Sequence, residues 1–368
     1  MLALTVSAGG TCITPAPVTT APDDDAWGGA VRTTTTLPAL RRTAALAATA
    51  VAALVLAACG GGGGGGDGGG GAGADSDPIT LGFSQVGAES GWRTANTKSV
   101  QEAAEAAGID LKFSDAQQKQ ENQIKAIRSF IQQRVDVIAF SPVVESGWDT
   151  VLMEAKRAGI PVILTDRAVD SEDTSLYATF LGSDFIEEGR KAGEWLLANV
   201  DASAGPVNIV ELQGTTGSAP AIDRQKGFAD VIAQNPNYQV IASQTGDFTR
   251  SGGRQVMEAF LKAHPDIDVL YAHNDDMGLG AIEAIEAAGK VPGQDIKIIT
   301  VDAVKDGMQA LADGKINFIV ECNPLLGPQL MDLVKKVAAG EEVPARVVTE
   351  ETTFDSAAAK AALPSRQY

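Results

Sequence analysis

Residues 135–165 read VDVIAFSPVVESGWDTVLMEAKRAGIPVILT. The runs at 135–141 and 161–165 are short and apolar, as buried strands are. The segment at 147–159 between them predicts a helix. A strand, a helix and a second strand in this order are typical of a parallel sheet, because parallel strands need a crossover connection between them. This stretch therefore predicts an α/β protein.

The same alternation continues on both sides of this stretch. Upstream, it predicts strands at 79–84 and 110–114 and helices at 91–108 and 122–134. Downstream, it predicts strands at 207–212, 238–244, 269–273, 296–301 and 317–321, and helices at 221–235, 252–264, 278–289 and 305–313. Two half-chains with the same rhythm predict two doubly wound parallel-sheet lobes that face a common cleft.

Composition limits the classes of function. The chain has 368 residues, enough for two ordinary domains, and a net charge of −18. This charge argues against nucleic acid as a partner, because phosphate groups are bound by clustered Lys and Arg. The three cysteines contain no CxxC pair and there are only two histidines, so we expect no metal and no cofactor. Cys322 is expected to be a small buried apolar residue.

The first 58 residues predict a signal segment. Arg41 and Arg42 precede an apolar run at 44–58, which is shorter than the ~20 residues of a membrane-spanning helix. Positive charge, an apolar run and small residues follow in the order of a secretory signal peptide. The segment from residue 1 to 38 contains three consecutive aspartates and does not fit that order, and we interpret it as a mis-called N-terminal extension.

The run LAAC at 56–59 resembles the lipobox of bacterial lipoproteins. The resemblance implies that Cys59 is lipidated and becomes the first residue of the mature chain. Residues 59–78 would then form the lipidated cysteine and a polyglycine tether, which as a flexible coil spans roughly 25 Å. We therefore expect an extracytoplasmic protein that is lipid-anchored to the outer face of the cell membrane.

Polar segments follow the predicted strands. In an open parallel sheet, ligands bind at the carboxyl ends of the strands. The segments in such positions are 85–93, 165–167, 213–217, 223–224, 247–250, 274–276, 302 and 321. Their amide, carboxylate, guanidinium and aromatic groups suit a sugar, because carboxylates accept from hydroxyls, arginine donates and aromatic faces cover the C–H surface of the ring.

Several of these residues also have structural interpretations, which the sequence leaves open. The alternatives are a surface ion pair for Asp166 and Arg167, core packing for Trp92, a helix cap for Asn274 and Asp275, and a solvated edge charge for Glu321.

The chain from about 79 to 345 resembles the ribose-binding-like periplasmic sugar-binding proteins of type I fold, which serve ABC importers. The runs that carry the resemblance are 82–85 (GFSQ), 140–143 (FSPV), 165–167 (TDR), 211–214 (ELQG), 223–228 (DRQKGF) and 272–277 (AHNDDM). Three stretches are closer still to galactofuranose-binding proteins, namely 84–93 (SQVGAESGWR), 117–124 (QQKQENQI) and 246–251 (GDFTRS).

The resemblance implies a fold and a partition of the chain. It implies two doubly wound lobes joined by a three-segment hinge. The N-terminal lobe would hold 79–184 and 323–345, and the C-terminal lobe 185–322 and 346–368. It also implies a monomer that binds a monosaccharide and delivers it to the permease subunits of an ABC importer, without enzymatic activity.

The resemblance further implies ligand-binding residues. In the first lobe, Trp92 would stack on the sugar ring and Arg93, Asp166 and Arg167 would bond to it. In the second lobe the implied residues are Arg224, Phe248, Asn274, Asp302 and Glu321. Family members often carry Asp-Gly where this chain has Asp302-Ala303, which puts the local turn in doubt.

Three rival functions share parts of this pattern. Asp166 and Glu321 could form the acid–base pair of a glycosidase, although arginine partners would lower the carboxyl pKa values and disfavour a general acid. A LacI-type repressor shares the body fold, but it needs a basic helix-turn-helix where this chain has a signal segment and polyglycine. A sensor module that presents sugar to a membrane receptor would use the same pocket.

Overall fold

The computed structural model describes residues 78–368. The first part of this range alternates strands and helices in the order β1 Thr80–Gln85, α1 Gly91–Ala107, β2 Asp110–Asp115, α2 Gln120–Gln133, β3 Val137–Phe140, α3 Asp149–Arg157, β4 Val162–Thr165 and β5 Thr179–Gly182. The second part continues with α4 Phe185–Asn199, β6 Val207–Gln213, α5 Ala219–Ile232, β7 Tyr238–Thr245, α6 Arg250–Ala263, β8 Val269–Ala272, α7 Asp275–Ala287, β9 Lys297–Asp302, α8 Lys305–Ala312 and β10 Phe318–Glu321. The last elements are α9 Gly327–Ala338, β11 Arg346–Val348, β12 Thr353–Phe354 and α10 Ser356–Ala362.

The strands form two six-stranded sheets, which confirms the predicted fold class. The first sheet has the order β11-β5-β4-β3-β1-β2 and the second the order β12-β10-β9-β8-β6-β7. Within these sheets every pairing is parallel except that of β12 with β10. We call the two units built on these sheets the first lobe and the second lobe.

Each sheet is buried on both faces. In β3, Val137 and Ala139 join one apolar cluster, and Ile138 and Phe140 join the cluster on the opposite face. Successive side chains of a strand point to opposite faces, so a strand that is covered by helices on both sides reads as a continuous apolar run. This is why the stretch at 135–141 lacks an alternating pattern.

Three segments cross between the lobes, at 183–184, 322–326 and 349–352. The third lies later than the predicted boundary at 345, because Arg346–Val348 pairs with β5 of the first sheet. The Arg346 guanidinium fixes this register by donating to the carbonyls of Phe180 and Ser183, at 3.2 and 2.7 Å. The first lobe therefore extends through residue 348.

Within residues 78–368, no helix combines the length and apolar character needed to cross a membrane. The predicted signal segment at 1–58, Cys59 and the polyglycine stretch lie outside the described residues.

Candidate functional site

The turns that follow the central strands of both sheets meet at one cavity, whose empty space, part of it open to solvent, is about 290 Å³. It is lined by Glu89, Ser90, Trp92, Arg93, Asp166, Arg167, Pro220, Arg224, Phe248, Asn274 and Asp302. Eight of the nine residues predicted to bind ligand are in this set, and Glu321 is not. Sequence reasoning missed Glu89, Ser90 and Pro220, although Glu89 lies four residues before Arg93, within the polar segment that follows the first predicted strand.

The first lobe contributes a buried network of opposite charges. Asp166 Oδ2 lies 2.7 Å from Arg93 Nη2 and accepts from the Ser141 hydroxyl at 2.8 Å. Arg93 Nε also donates to Glu89 Oε1 at 3.0 Å. Asp166 and Arg167 are only 4% and 2% exposed, so their interpretation as a surface ion pair is wrong.

Two arginines, one from each lobe, face the ring of Phe248. The guanidinium carbons of Arg167 and Arg224 lie 5.3 and 6.0 Å from the ring centroid, within the range of cation–π attraction. Burial, followed by the charge of Arg93, lowers the pKa of Arg167 to about 10. Arg167 is therefore still a cation at neutral pH, and its Nη1 donates to the carbonyl of Val143 at 3.1 Å.

In the second lobe, Arg224 on α5 lies at the centre of a similar group of buried polar contacts. Its Nε donates to Glu188 Oε2 at 2.7 Å and its Nη1 donates to the His273 carbonyl at 2.6 Å. Its Nη2 lies 3.9 Å from Asp302 Oδ1. Burial raises the pKa of Asp302 well above its usual range, and the charge of Arg224 opposes this shift.

Three buried atoms of the cavity wall have no hydrogen-bond partner among the described residues. They are Glu89 Oε2, Arg167 Nε and Asp302 Oδ2. A buried polar atom without a partner costs about 1–3 kcal/mol. A hydroxyl both donates and accepts, so a small ligand rich in hydroxyl groups satisfies carboxylate and guanidinium atoms alike.

The backbone at this cavity is strained. Asp166, Phe248 and Asp302 have φ values of 63°, 60° and 122°, in the region that residues other than glycine rarely occupy. Ala303 follows at 66°, so the turn at Asp302-Ala303 is left-handed without a glycine. Such conformations persist only when their surroundings fix them, and they concentrate at ligand sites.

Trp92 combines packing with a place in the cavity wall. It lies on α1 of the first lobe, is 5% exposed and packs into an apolar cluster of the second lobe. Its Nε1 donates to the carbonyl of Cys322 in the second crossover at 2.7 Å. Core packing, the alternative role, is therefore correct for much of this side chain. Cys322 itself is 1% exposed, which confirms that it is buried.

Asn274 caps a helix, as the alternative interpretation predicted. Its Oδ1 accepts from the backbone N–H of Met277 at 3.0 Å, and its Nδ2 donates to the Phe248 carbonyl at 3.1 Å. Asp275 is not the cap. It is fully buried and accepts from the Val304 N–H at 2.8 Å. Asn274 thus fixes the Phe248 turn while it lines the cavity.

Glu321 lies outside the cavity and supports one of the turns that line it. Its Oε1 accepts from Arg366 Nη1 at 2.8 Å and from the Tyr368 hydroxyl at 2.9 Å. Its side chain is 12% exposed, so it is not a solvated edge charge. Arg366 Nε in turn donates to the Ala303 carbonyl at 2.7 Å. Residues 366–368 therefore hold the strained turn that presents Asp302.

We expect Arg366→Ala to lower the free energy of unfolding by about 1–3 kcal/mol, because the half-buried Glu321 loses a charged donor. Urea denaturation measures this change. The control is Arg128→Ala, which removes an exposed pair with Glu154 and should leave the urea midpoint unchanged. Equal midpoints for Arg366→Ala and the native chain would contradict the supporting role.

The lobes touch at both rims of the cavity. On one side the Gly91 N–H donates to Asp276 Oδ2 at 2.7 Å, and on the other the Glu145 N–H donates to the Gly217 carbonyl at 2.9 Å. Contacts between residues of different lobes therefore flank the cavity, which remains partly open to solvent. This arrangement defines the class of protein, a two-lobed binding protein that encloses a small polar ligand in its cleft.

The chain belongs to the periplasmic binding protein family, whose domain model matches residues 81–342. It is 50% identical over 280 residues to the galactofuranose-binding protein YtfQ of Escherichia coli, covering 75% of this chain and 87% of that protein. A crystal structure from Mycobacterium smegmatis in complex with β-D-fucofuranose is 72% identical, with a TM-score of 0.78 and coverage of 79% of this chain and 95% of that one.

A third relative is the periplasmic binding protein component of the arabinose ABC transporter from Shewanella sp. ANA-3, bound to α- and β-L-arabinofuranose. It is 50% identical, with a TM-score of 0.75 and coverage of 78% of this chain and 95% of that one. The fold is thus the type I periplasmic binding protein fold, and the family consists of binding proteins. The chain is a binding protein and not an enzyme.

Proposed function

We propose that this protein captures a monosaccharide in its furanose form, galactofuranose or a related pentose or hexose, and delivers it to an ABC importer. The observation that carries the proposal is the cavity between the lobes, in which one carboxylate from each lobe and the Arg167 guanidinium have polar atoms without a partner among the described residues. The similarity to proteins named for galactofuranose, fucofuranose and arabinofuranose supports the five-membered ring.

In this proposal each wall of the cavity has a role in binding the sugar. Asp166 and Asp302 accept hydrogen bonds from sugar hydroxyls, and Arg167 donates one. Phe248 and Trp92 supply apolar faces for the C–H surface of the ring. Because the lobes close over the ligand, these bonds form away from water, where they are stronger.

Binding is tested by calorimetry with galactose, arabinose and fucose. Reducing sugars hold only a minor furanose fraction in solution, so the apparent Kd should exceed the intrinsic value by the inverse of that fraction. NMR of ¹³C-labelled sugar in the complex identifies the bound ring form. A bound pyranose would refute the furanose assignment, and the absence of binding by every monosaccharide would refute the function.

Acidic groups at one rim oppose closure. Burial, then the charges of Asp223 across the cleft and of Asp170, raises the pKa of Glu145. We expect Glu145→Gln to tighten sugar binding about two- to fivefold in low salt, because closure no longer brings like charges together. The gain should fade near 0.5 M salt, where exposed charges are screened. Calorimetry at both salt concentrations measures it, and a gain that is independent of salt would contradict the electrostatic cause.

The proposal includes lipid anchoring at Cys59, which rests on the lipobox sequence at 56–59. We expect Cys59→Ala to abolish lipidation and to leave the protein unprocessed or released into the medium. Membrane fractionation with metabolic lipid labelling measures this change. Cys322→Ala is the matched control, since its thiol is buried in the folded body, and unaltered membrane partitioning of Cys59→Ala would disprove the anchor.

A further inference from the structure

All three crossovers between the lobes meet at one largely buried polar cluster, which we call the hinge cluster. Its members are Ser183 from the first crossover, Glu188 from the following helix α4, Cys322 from the second crossover, and Thr349 and Glu351 from the third.

Hydrogen bonds tie the three crossovers together within this cluster. The Glu351 carboxylate accepts from the Ser183 and Thr349 hydroxyls and from the Asn323 N–H, the last two at 2.9 Å. The Ser183 hydroxyl also lies 3.4 Å from the Cys322 thiol. A change in the angle between the lobes would therefore rearrange this cluster.

Glu188 connects the hinge cluster to the cavity. One carboxylate oxygen, Oε2, accepts from Arg224 Nε at 2.7 Å, and a carboxylate oxygen lies within 4.8 Å of the Cys322 thiol and of Glu351. Arg224 itself lines the cavity and approaches Asp302 and the ring of Phe248. The Glu188 side chain thus lies between the ligand-facing arginine and the second and third crossovers.

Burial makes Glu188 and Arg224 dependent on each other. Glu188 is 1% exposed, and burial raises its pKa to about 8 although the charge of Arg224 opposes the shift. A buried acid in this position needs its guanidinium partner, and the guanidinium needs an acceptor for Nε. The Glu188–Arg224 contact therefore fixes where Arg224 points into the cavity.

The oxygens and sulfur of Glu188, Cys322 and Glu351 could also be considered as ligands of a cation. The Arg224 guanidinium, however, already places a positive charge against Glu188, and the Glu351 oxygen is occupied by three donors. The contacts therefore favour a hydrogen-bonded network, which transmits changes in position, and they do not favour a metal site.

We infer that Glu188 is a positioning residue that couples sugar binding to hinge closure by holding Arg224 against the hinge cluster. The inference rests on the proposed function. When a sugar engages Arg224, the same guanidinium is held by Glu188, so the closed arrangement of the crossovers and the occupied cavity stabilise each other.

The test compares three variants by calorimetry and by small-angle scattering with saturating sugar. Glu188→Leu removes the acceptor and should weaken binding about 10- to 100-fold, and it should retain a larger radius at saturation than the native chain. Glu188→Gln keeps an acceptor for Arg224 Nε and should stay within a few-fold. If the leucine variant does not fold, Glu188→Asp, which is one methylene shorter, should lose about tenfold.

A double-mutant cycle separates positioning from general destabilisation. In an Arg224→Lys background, Glu188→Leu should weaken binding by less than about twofold. Ile285→Val, a core substitution in the second lobe that typically costs about 0.5–1.5 kcal/mol of stability, should leave the Kd unchanged. Native-like binding and closure by Glu188→Leu and Glu188→Asp, or an undiminished loss in the lysine background, would overturn the inference. Failure of the native chain to bind any sugar would instead refute the proposed function.

Discussion

Asp166→Asn should weaken sugar binding by roughly a hundredfold or more. Asp166 sits 2.7 Å from Arg93 and beside Arg167, and all three side chains are buried. Breaking one partner of a buried, hydrogen-bonded charge pair costs about 2–5 kcal/mol in binding, and each 1.4 kcal/mol is about tenfold in Kd. Calorimetry with the furanose that the native chain binds measures this loss.

The matched control is Asp110→Asn in the same lobe. Asp110 pairs with Lys112 at the surface, where both side chains are more than two-fifths exposed, and its replacement should leave the Kd unchanged. Circular dichroism establishes that both variants are folded. If folded Asp166→Asn binds with the native Kd, the sugar does not depend on this carboxylate and the proposed site is wrong.

Arg224→Met should abolish detectable sugar binding and lower the free energy of unfolding by about 1–3 kcal/mol near pH 7, because it leaves the buried carboxyls of Glu188 and Asp302 without their guanidinium donor. Urea denaturation measures the stability. Arg254→Met, which removes an exposed cation from Glu258 and Glu283, is the control and should leave the urea midpoint unchanged.

The stability deficit of Arg224→Met should depend on pH. Burial raises the folded-state pKa of Glu188 from 4.5 to about 8 even with Arg224 present. A folded state that holds its proton more tightly than the unfolded state is most stable below the unfolded pKa and loses stability as the pH rises. Loss of Arg224 raises the folded pKa further, so both folded proteins hold this proton below about pH 7 and the deficit should be nearly constant there. It should grow above about pH 8, where Glu188 ionises in the native chain but not in the variant. A deficit that stays constant from about pH 7 to pH 10 would contradict the assignment to buried carboxylates.

The positions of most cavity residues follow from one rule that the sequence alone can supply. Asp166 directly follows β4, Asn274 comes two residues after β8 of the other sheet, and Asp302 ends β9. Because the carboxyl ends of parallel strands meet at one edge, the strand pattern is enough to group residues that lie far apart along the chain. The same pattern locates nine strands and seven helices, with ends that differ by three residues at most from those of the folded chain, but it does not predict β5, α4 or α9.

Glu321 is an exception to the rule that residues at the carboxyl ends of the strands line the cavity. It ends a strand like Asp302, but β10 leads into the second crossover and pairs with the short edge strand β12. Its partners Arg366 and Tyr368 lie more than 40 residues later in a segment without a periodic pattern. Contacts between such distant segments depend on tertiary packing, and nothing in the local sequence around Glu321 indicates them.

The predicted end of the first lobe at residue 345 leaves out β11 for a related reason. Arg346–Val348 is three residues long, too short for periodicity to reveal a strand or to assign it to a sheet. The pairing is decided by the open edge of β5 and by the Arg346 side chain. The position of such a short edge strand therefore depends on the neighbouring strand with which it pairs.

The left-handed backbone at Asp166, Phe248 and Asp302 also restricts how this protein can evolve. At these positions a β-branched substitute would lose the side chain's function and add steric strain to the backbone, so most single mutations there are penalised twice. Ser90 and Trp92 line the same cavity from extended and helical backbone, where many residue types fit. A lineage that acquires a new sugar is therefore expected to change the residues at the start of α1 first and to keep the three strained positions.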